Sequence, residues 1–554
     1  MVETAITLRE SLQYEPQELK FGTSGRRGKV EDLSQLEIYL NVLGEIEYLQ
    51  GLSRAEGGVA WGEEFYFACD LRPSSTAFVA EMNGRGKIAQ AVRAAIESAG
   101  MRPINLGRIP TPALAFYALA RGRGSIMVTG SHIPFDRNGY KAYSARGELL
   151  KEQEALVNAQ VATVRARLYS QAAGQSLFNP QGRLKAQQPL PPEEDGAQTE
   201  YIKRYTSFFS GVPLDGKRVL LYEHSAVGRD LMGRILEQLG VEVVRAGRAD
   251  TFVPIDTENI DAEQLAVIER LTAGAAKEGP LYAVISTDGD SDRPLVLGVE
   301  PGANGAGDSK VRFFGGDLVG MITAQFLKAG AVVVPVSCND GIDRGGLAKL
   351  LEPKTRIGSP YVIAGIEAAL RAGKQRVCGW EANGGFLTGS RFFQKGAVLE
   401  PLMTRDAALP VLAPLAAAAS EGLTLAQVFG RLPERFSRAA LLRNFPRTMA
   451  SAMLARFSPE PGGRDLAASG PQLARFFTRE LGFGAIAGID ATDGLRIRFD
   501  NGDVAHIRPS GNADELRIYA VADTQERADT IAAMGVAEPG GILRSMERSV
   551  AAGD

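Results

Sequence analysis

Val284-Ile285-Ser286-Thr287-Asp288-Gly289-Asp290-Ser291-Asp292-Arg293-Pro294 runs from a short apolar stretch directly into three carboxylates at alternate positions. The apolar start reads as a buried strand, and the Asp/Gly/Ser/Pro tail as the loop that leaves it. Loops at strand ends are where α/β sheets hold their ligands. If the segment is extended, alternate side chains point the same way. Carboxylates about 5 Å apart repel by roughly 3 kcal/mol per pair at an effective dielectric of ~20. A hard divalent cation offsets that repulsion, and an oxygen-only ligand set suits Mg²⁺ or Ca²⁺. An EF-hand would place Gly sixth and Glu twelfth from Asp288, where this chain has Arg293 and Val299.

Outward from this loop, the same short-run-then-amphipathic pattern recurs. Phe65–Cys69 precedes Ile88–Ala99, Val219–Tyr222 precedes Leu231–Leu239, and Val332–Val336 precedes Gly346–Leu351. Alternating strands and helices predict α/β units with mixed, mostly parallel sheets. Near the end, Leu495–Phe499 and Val504–Ile507 flank Asn501-Gly502, which predicts a β-hairpin and a last unit of α+β type. Gln171–Gly196 and Pro459–Gly470 have the composition of connectors, and Pro301–Ser309 reads as a loop between strands.

Bulk composition narrows the function classes. The 554 residues suggest about three to five domains. With 45% hydrophobic and 23% charged residues, the chain can bury several cores. A net charge of −3, from 62 basic against 65 acidic residues, gives no global argument for nucleic-acid or membrane partners. Three scattered cysteines without a CxxC pair argue against a disulfide scaffold or zinc site and for a reducing cytoplasm. Three histidines are too few for a histidine-rich metal centre. The N-terminus lacks a basic region followed by an apolar one, and no apolar run approaches the length of a membrane span, so neither export nor insertion is expected.

Four further loops carry chemistry. Val128-Thr129-Gly130-Ser131-His132 places a serine after the apolar run Ser125–Val128, with His132 and Lys141 as nearby proton-transfer groups. A serine-hydrolase elbow needs glycine two residues after the serine, where this chain has Ile133. Phe21-Gly22-Thr23-Ser24-Gly25-Arg26-Arg27-Gly28 combines small residues with arginines and suits an anion. It lacks the Walker A pattern, since Arg27 stands where the second glycine would be. Gly379-Trp380-Glu381-Ala382-Asn383-Gly384-Gly385 offers a carboxylate and an amide for vicinal hydroxyls, with Trp380 expected to line a sugar face. Ile507-Arg508-Pro509-Ser510-Gly511-Asn512, with Arg517, reads as a phosphate cradle.

Ordered along the chain as Ser, Asp, Glu and Arg/Ser loops, these motifs resemble the α-D-phosphohexomutase family of phosphoglucomutases and phosphomannomutases. The resemblance runs from Phe21 to Tyr519, and Cys69-Asp70-Leu71-Arg72-Pro73-Ser74-Ser75 and Pro110-Thr111-Pro112 also look like family segments. It implies four domains around a central cleft: 1–200 with the phosphoserine loop, 201–312 with the metal loop, 313–432 with the sugar loop and 433–554 with the phosphate loop. It also implies interconversion of hexose 1-phosphate and hexose 6-phosphate through a phosphorylated Ser131 and a hexose 1,6-bisphosphate, which doubles as activator. One Mg²⁺ would be held by Asp288, Asp290, Asp292 and the phosphoserine. Arg293 and Arg27 would lie near that phosphate, and Glu381 and Asn383 would read sugar hydroxyls. Arg508, Ser510, Gly511, Asn512 and Arg517 would hold the non-reacting phosphate, and His132 or Lys141 would move the proton.

The resemblance of GWEANGGF and RPSGNADELR to mannomutase-like members favours mannose, with glucose as the alternative sugar. A non-catalytic sugar-phosphate binder and a phosphatase are the competing readings. The chain departs from the common family loops at Ile133, in the sugar loop, at Asn512-Ala513, and around Gly358-Ser359-Pro360, where the usual His or Lys is missing. The expected partner is a small hexose phosphate, with no nucleic acid or membrane; oligomeric state is left open.

Overall fold

The computed structural model describes residues 6–258, 260–302, 305–458, 466–509 and 514–552. Among the described residues, four sheets of four or more strands follow one another along the chain, with two small two-stranded ribbons beside them. In the first, Arg26–Lys29, Arg137–Ser144, Ser125–Val128, Glu64–Cys69 and Arg102–Arg108 lie in that order, with Gly147–Glu148 on Arg137–Ser144. The second runs Glu242–Arg248, Arg218–His224, Ala283–Thr287, Pro294–Gly302, Gly305–Phe314. The third runs Ala331–Val333, Val377–Trp380, Phe386–Thr388, Leu402–Asp406. The fourth, from Phe436–Arg443 to Ile486–Asp490, is antiparallel throughout and backed by the helices Gln525–Val536 and Ile542–Ala552.

The first three sheets are mixed, but "mostly parallel" is corrected. Each is parallel where strand–helix units lead and antiparallel where a hairpin follows. Ser125–Val128 turns back into Arg137–Ser144, Ala283–Thr287 into Pro294–Gly302, and Val377–Trp380 into Phe386–Thr388. A short connection permits only antiparallel return, because parallel pairing needs a long crossover. The three hairpin connections are the Ser131, Asp288 and Glu381 loops. In the fourth sheet, the Arg508 loop likewise joins the antiparallel pair Val504–Pro509 and Glu515–Ala522.

The stretch read as a loop at Pro301–Ser309 is also corrected. Strand extends to Gly302 and resumes at Gly305, continuing a ladder that pairs Val299 with Val311. Residues 459–465 of the second expected connector lie outside the described residues and its 466–470 belong to the helix Leu466–Leu473 rather than to a loop, while 171–195 is irregular chain as expected.

Burial divides the molecule unequally. One continuous apolar core contains Tyr66 and Met127 of the first sheet, Leu221 and Val296 of the second, and Trp380 and Phe386 of the third. The helix Gly196–Phe208 runs through it, and the hydroxyls of its Tyr201 and Tyr205 both donate to Asp406. The fourth sheet and its helices close a separate core, made of residues between Leu442 and Met546. In the first unit, the helix Gln35–Gln50 is buried along nearly its whole length. Its N-cap Ser34 accepts from the Glu37 amide at 3.1 Å, and its Glu45 pairs with buried Arg26 at 2.6 Å. That pair pins the strand Arg26–Lys29 and so places Arg27. Among the described residues, no helix is long and apolar enough to cross a membrane.

Candidate active site

The three aspartates converge, but not by extended alternation. The loop closes on itself: the Asp288 amide donates to Arg293 O at 3.1 Å, and Asp288 Oδ1 accepts from the amides of Asp292 and Arg293 at 3.1 and 3.2 Å. Ser291 sits in the left-handed region at φ +57°. Its hydroxyl accepts from the Gly228 amide at 2.9 Å and from Thr287 at 2.8 Å. This closure brings one oxygen from each of Asp288, Asp290 and Asp292 within 4.8 Å of one another.

All three carboxylates are buried, so charge cannot be left unpaired there. Lys141 spans Asp290 and Asp292 at 2.7 and 2.5 Å. Arg405 holds Asp292 at 3.0 Å and Glu381 at 2.9 Å, and Arg293 lies 3.7 and 3.6 Å from Asp288 and Asp292. Thr111, at the start of the helix Thr111–Ala120, donates to Asp290 at 2.6 Å. Burial pushes Asp288 well above the usual carboxylate range, and Asp290 and Asp292 push it the same way. Burial works on Asp290 too, but Lys141 and Thr111 outweigh it and hold that carboxyl low. Among the described residues, Oδ1 of Asp290 and Oδ1 of Asp292 have no hydrogen-bond partner, with Arg293 Nε standing 3.6 Å from the latter. Two orphaned carboxylate oxygens in a convergent, oxygen-only cage are a fit for a hard divalent cation.

Ser131 stands over this cage. Its hydroxyl donates to Asp288 Oδ2 at 2.9 Å, its backbone is left-handed at φ +54°, and its amide donates to Thr129 Oγ1 at 2.7 Å. Arg27, His132, Lys141, Arg293, Glu381, Asn383, Arg508 and Arg517 line one cleft of about 210 Å³ with Ser131. Ser510, Gly511 and Asn512 lie outside the described residues. A larger crevice, about 680 Å³, shares Glu258 and Tyr519 with the cleft but contains neither the serine nor the acidic cage.

Some expectations separate here. Of the two neighbouring arginines, Arg26 is buried against Glu45, whereas Arg27 faces the cleft and donates to Tyr140 O at 2.8 Å. Desolvation lowers the Arg27 guanidinium to about 10. Trp380 does not line a sugar face; it is fully buried, stacked on Phe386 and pressed against Gly320. Asn383 spends its side-chain oxygen on the Gly385 amide at 2.9 Å. Its amide nitrogen is the group left to face the cleft. Among the described residues, buried His132 Nδ1 has no hydrogen-bond partner, and burial, with Arg293, keeps the imidazole well below its ordinary range.

At the far end, Arg508 is held by Asp493 at 3.0 Å, and Arg517 by Glu258 and Asp256 at 3.2 and 3.5 Å. Tyr519 also donates to Glu258, at 3.4 Å. Arg405, Asp256 and Glu258 escaped the sequence reading. The signal for Arg405 was a basic residue beside the apolar pair Leu402-Met403, in what proves to be the mostly buried strand Leu402–Asp406; Asp256 and Glu258 follow no motif.

Residues 18–167 match the family model for phosphoglucomutase/phosphomannomutase alpha/beta/alpha domain I, 315–436 that for domain III, and 472–538 that for the C-terminal domain. The chain is 37% identical over 525 residues to a phosphomannomutase of Sinorhizobium fredii, covering 94% of this chain and 98% of that one. It is 36% identical over 522 residues to a phosphomannomutase of Salmonella muenchen, covering 93% and 94%. The fold matches a phosphoglucomutase/phosphomannomutase family protein of Burkholderia thailandensis with a TM-score of 0.60 at 17% identity, covering 94% and 98%. It also matches the Aspergillus fumigatus N-acetylphosphoglucosamine mutase in complex with GlcNAc-6P and magnesium, with a TM-score of 0.53 at 16% identity, covering 98% of each chain. Matched family domains, near-full-length relatives and a serine poised over an acidic cage agree: this chain belongs to the phosphoglucomutase/phosphomannomutase family and is a phosphohexose mutase.

Proposed function

We propose that the chain is a phosphomannomutase that carries the transferring phosphate on Ser131 and uses Mg²⁺. The observation that supports this most is the Ser131 hydroxyl, 2.9 Å from Asp288 in a cage with two orphaned carboxylate oxygens. Asp288, Asp290, Asp292 and the phosphorylated Ser131 would hold the Mg²⁺. When bound, that ion supplies positive charge beside the transferring phosphoryl group. Mannose follows the substrate of the two near-full-length relatives.

Each residue then has a role set by its position. Phosphorylated Ser131 gives its phosphoryl group to the free hydroxyl of a hexose monophosphate. The Ser131 Oγ–P bond breaks, a sugar O–P bond forms, and the hydroxyl proton leaves for a base. His132 or Lys141 is that base: both line the cleft with Ser131, and Lys141 also spans Asp290 and Asp292. The hexose 1,6-bisphosphate turns over and returns its other phosphoryl group to Ser131, with the same residue giving the proton back. Arg27 and Arg293 neutralise the group in flight. Glu381 and Asn383 read sugar hydroxyls. Arg508 and Arg517, with Ser510, Gly511 and Asn512, hold whichever phosphate is not reacting.

The reading divides the chain at 1–200, 201–312, 313–432 and 433–554, one loop to each. Three buried, unpaired cysteines and a phosphorylated-sugar substrate fit a reducing cytoplasm. A coupled assay with mannose 1-phosphate and glucose 1-phosphate, Mg²⁺ and the cognate 1,6-bisphosphate as activator tests it. Faster conversion of mannose 1-phosphate is expected; preference for glucose overturns the sugar, and conversion of neither by folded, Mg²⁺-supplied protein overturns the whole reading.

A further inference from the structure

Arg72 is almost completely buried beneath the serine loop, and its guanidinium is saturated. It donates to four backbone carbonyls of that loop: Ser131 O at 2.8 Å, Ile133 O, Pro134 O at 2.7 Å and Arg137 O at 3.0 Å. Its Nε reaches Asp70 Oδ2 at 3.2 Å, and the same oxygen accepts from Thr129 Oγ1 at 2.8 Å. A planar fork of five donors can fix several acceptors at once, which a lysine ammonium cannot. The approach is so close that a Cβ on Gly130 would fall 2.5 Å from Arg72 Nε.

The other face of the guanidinium lies on the Phe252 ring, 3.9 Å from its centroid. Phe252 follows the strand Glu242–Arg248 of the second sheet, so the stack crosses from the unit that carries the serine to the unit that carries the acidic loop. Phe252 touches that loop as well. A Cβ on Gly289 would meet the Phe252 ring at 2.9 Å and Ser131 O at 2.8 Å. Arg72, Phe252, Ser131 O and Gly289 therefore form one packed contact between the two loops that must meet.

We propose that Arg72 is a positioning residue. It holds the serine loop in the left-handed geometry of Ser131 and, through Phe252, sets the Ser131 oxygen in register with Asp288. The proposal rests on the phosphoserine reading above, and the experiment separates the two. Wild type, Arg72→Lys and Phe252→Leu are incubated with hexose 1,6-bisphosphate and hexose phosphate. Turnover, Ser131 phosphorylation by intact mass and melting temperature are measured on each.

Wild type that neither turns over nor becomes phosphorylated defeats the phosphoserine reading itself. Given active wild type, Arg72→Lys is expected to lower kcat and the rate of Ser131 phosphorylation about 100-fold while KM stays within about threefold, as misplacement of a reacting atom by about 1 Å does. Phe252→Leu is expected to lower kcat about tenfold with KM unmoved. A merely structural role would lower the melting temperature and the phosphorylatable fraction but not kcat per phosphorylatable site. The proposal is overturned if Arg72→Lys keeps kcat per site within about threefold of wild type. If that variant does not fold, Phe252→Leu decides: kcat per site within about twofold of wild type overturns it, and a larger loss at constant KM supports it.

Discussion

The three N-terminal units and the last unit face the same cleft but are held to it by different forces. The first three share an uninterrupted apolar core, and the cage, the serine and Arg405 are built on it. The last unit has its own core and meets the others across polar contacts. Arg517 meets Asp256 and Glu258, Arg435 meets Asp340 at 2.7 Å, Arg496 donates to Val336 O at 2.7 Å, and the Ile357 amide donates to Asp493 at 2.8 Å. Separating the shared core would expose apolar surface at about 25 cal/mol per Å². A polar contact can instead be exchanged for water, or for a phosphate, at little net cost. The body is thus suited to holding reacting atoms still, and the last unit to releasing and recapturing a substrate that must turn round.

Four experiments would break or sharpen this contrast. The largest effect is expected in the body. Ser131→Ala should reduce turnover to below about 1% of wild type, more than about 2.7 kcal/mol of barrier, with an unchanged melting curve; measurable residual turnover would contradict a covalent carrier. Next, Arg405→Met strips the only direct cation–carboxylate hydrogen bonds from Glu381 and half of those from Asp292 among the described residues. Leaving buried charge without a partner costs about 3–5 kcal/mol, so the urea midpoint should fall sharply; an unchanged midpoint would mean the cage is not electrostatically tight.

The third concerns the last unit. His506 is fully buried, and burial, then Arg496, pushes its imidazole down to about 4. Its folded value lies below its unfolded one, so the unfolded state binds the extra proton. That share of stability is complete above about pH 6.5 and lost as pH falls towards 4, a total of about 3 kcal/mol. His506→Gln should flatten the fall in melting temperature of the last unit over that interval, and an unaltered slope would show that other groups drive it. The smallest effect is expected at the polar contacts, which are short and largely withdrawn from solvent, so raising ionic strength to about 0.5 M weakens them only in part. KM should shift a few-fold while kcat holds, and a larger change in kcat than in KM would place the salt-sensitive step in the body.

How far the molecule could be read from its sequence follows the range of each interaction. The Ser131, Asp288, Glu381 and Arg508 loops were legible because each is local, a short buried strand ending in small and polar residues. Arg26 and Arg27 are adjacent and chemically identical; only the pairing of Arg26–Lys29 with Arg137–Tyr140 decides that one meets Glu45 and the other the cleft. Trp380 was misplaced because strand and loop both permit an aromatic there, and packing against Gly320 and Phe386 settled it. Asp256 and Glu258 are more than 250 residues from Arg517, a separation at which no motif speaks. The sequence predicts mostly parallel sheets because helices between early strands announce crossovers, whereas the later hairpins carry only site residues in their connections.

Those hairpin connections have a consequence for how such a protein can change over generations. Each site loop starts and ends on neighbouring antiparallel strands, about 5 Å apart. Residues can be exchanged or inserted between such ends without moving either strand, and the departures at Ile133 and Asn383 fall inside two of them. Asp288 and Lys141 sit at or inside the closing strands, whereas Ile133 and Asn383 sit in the spans between them. Such spans can change by ordinary substitution while the buried carboxylate cage beneath them is kept.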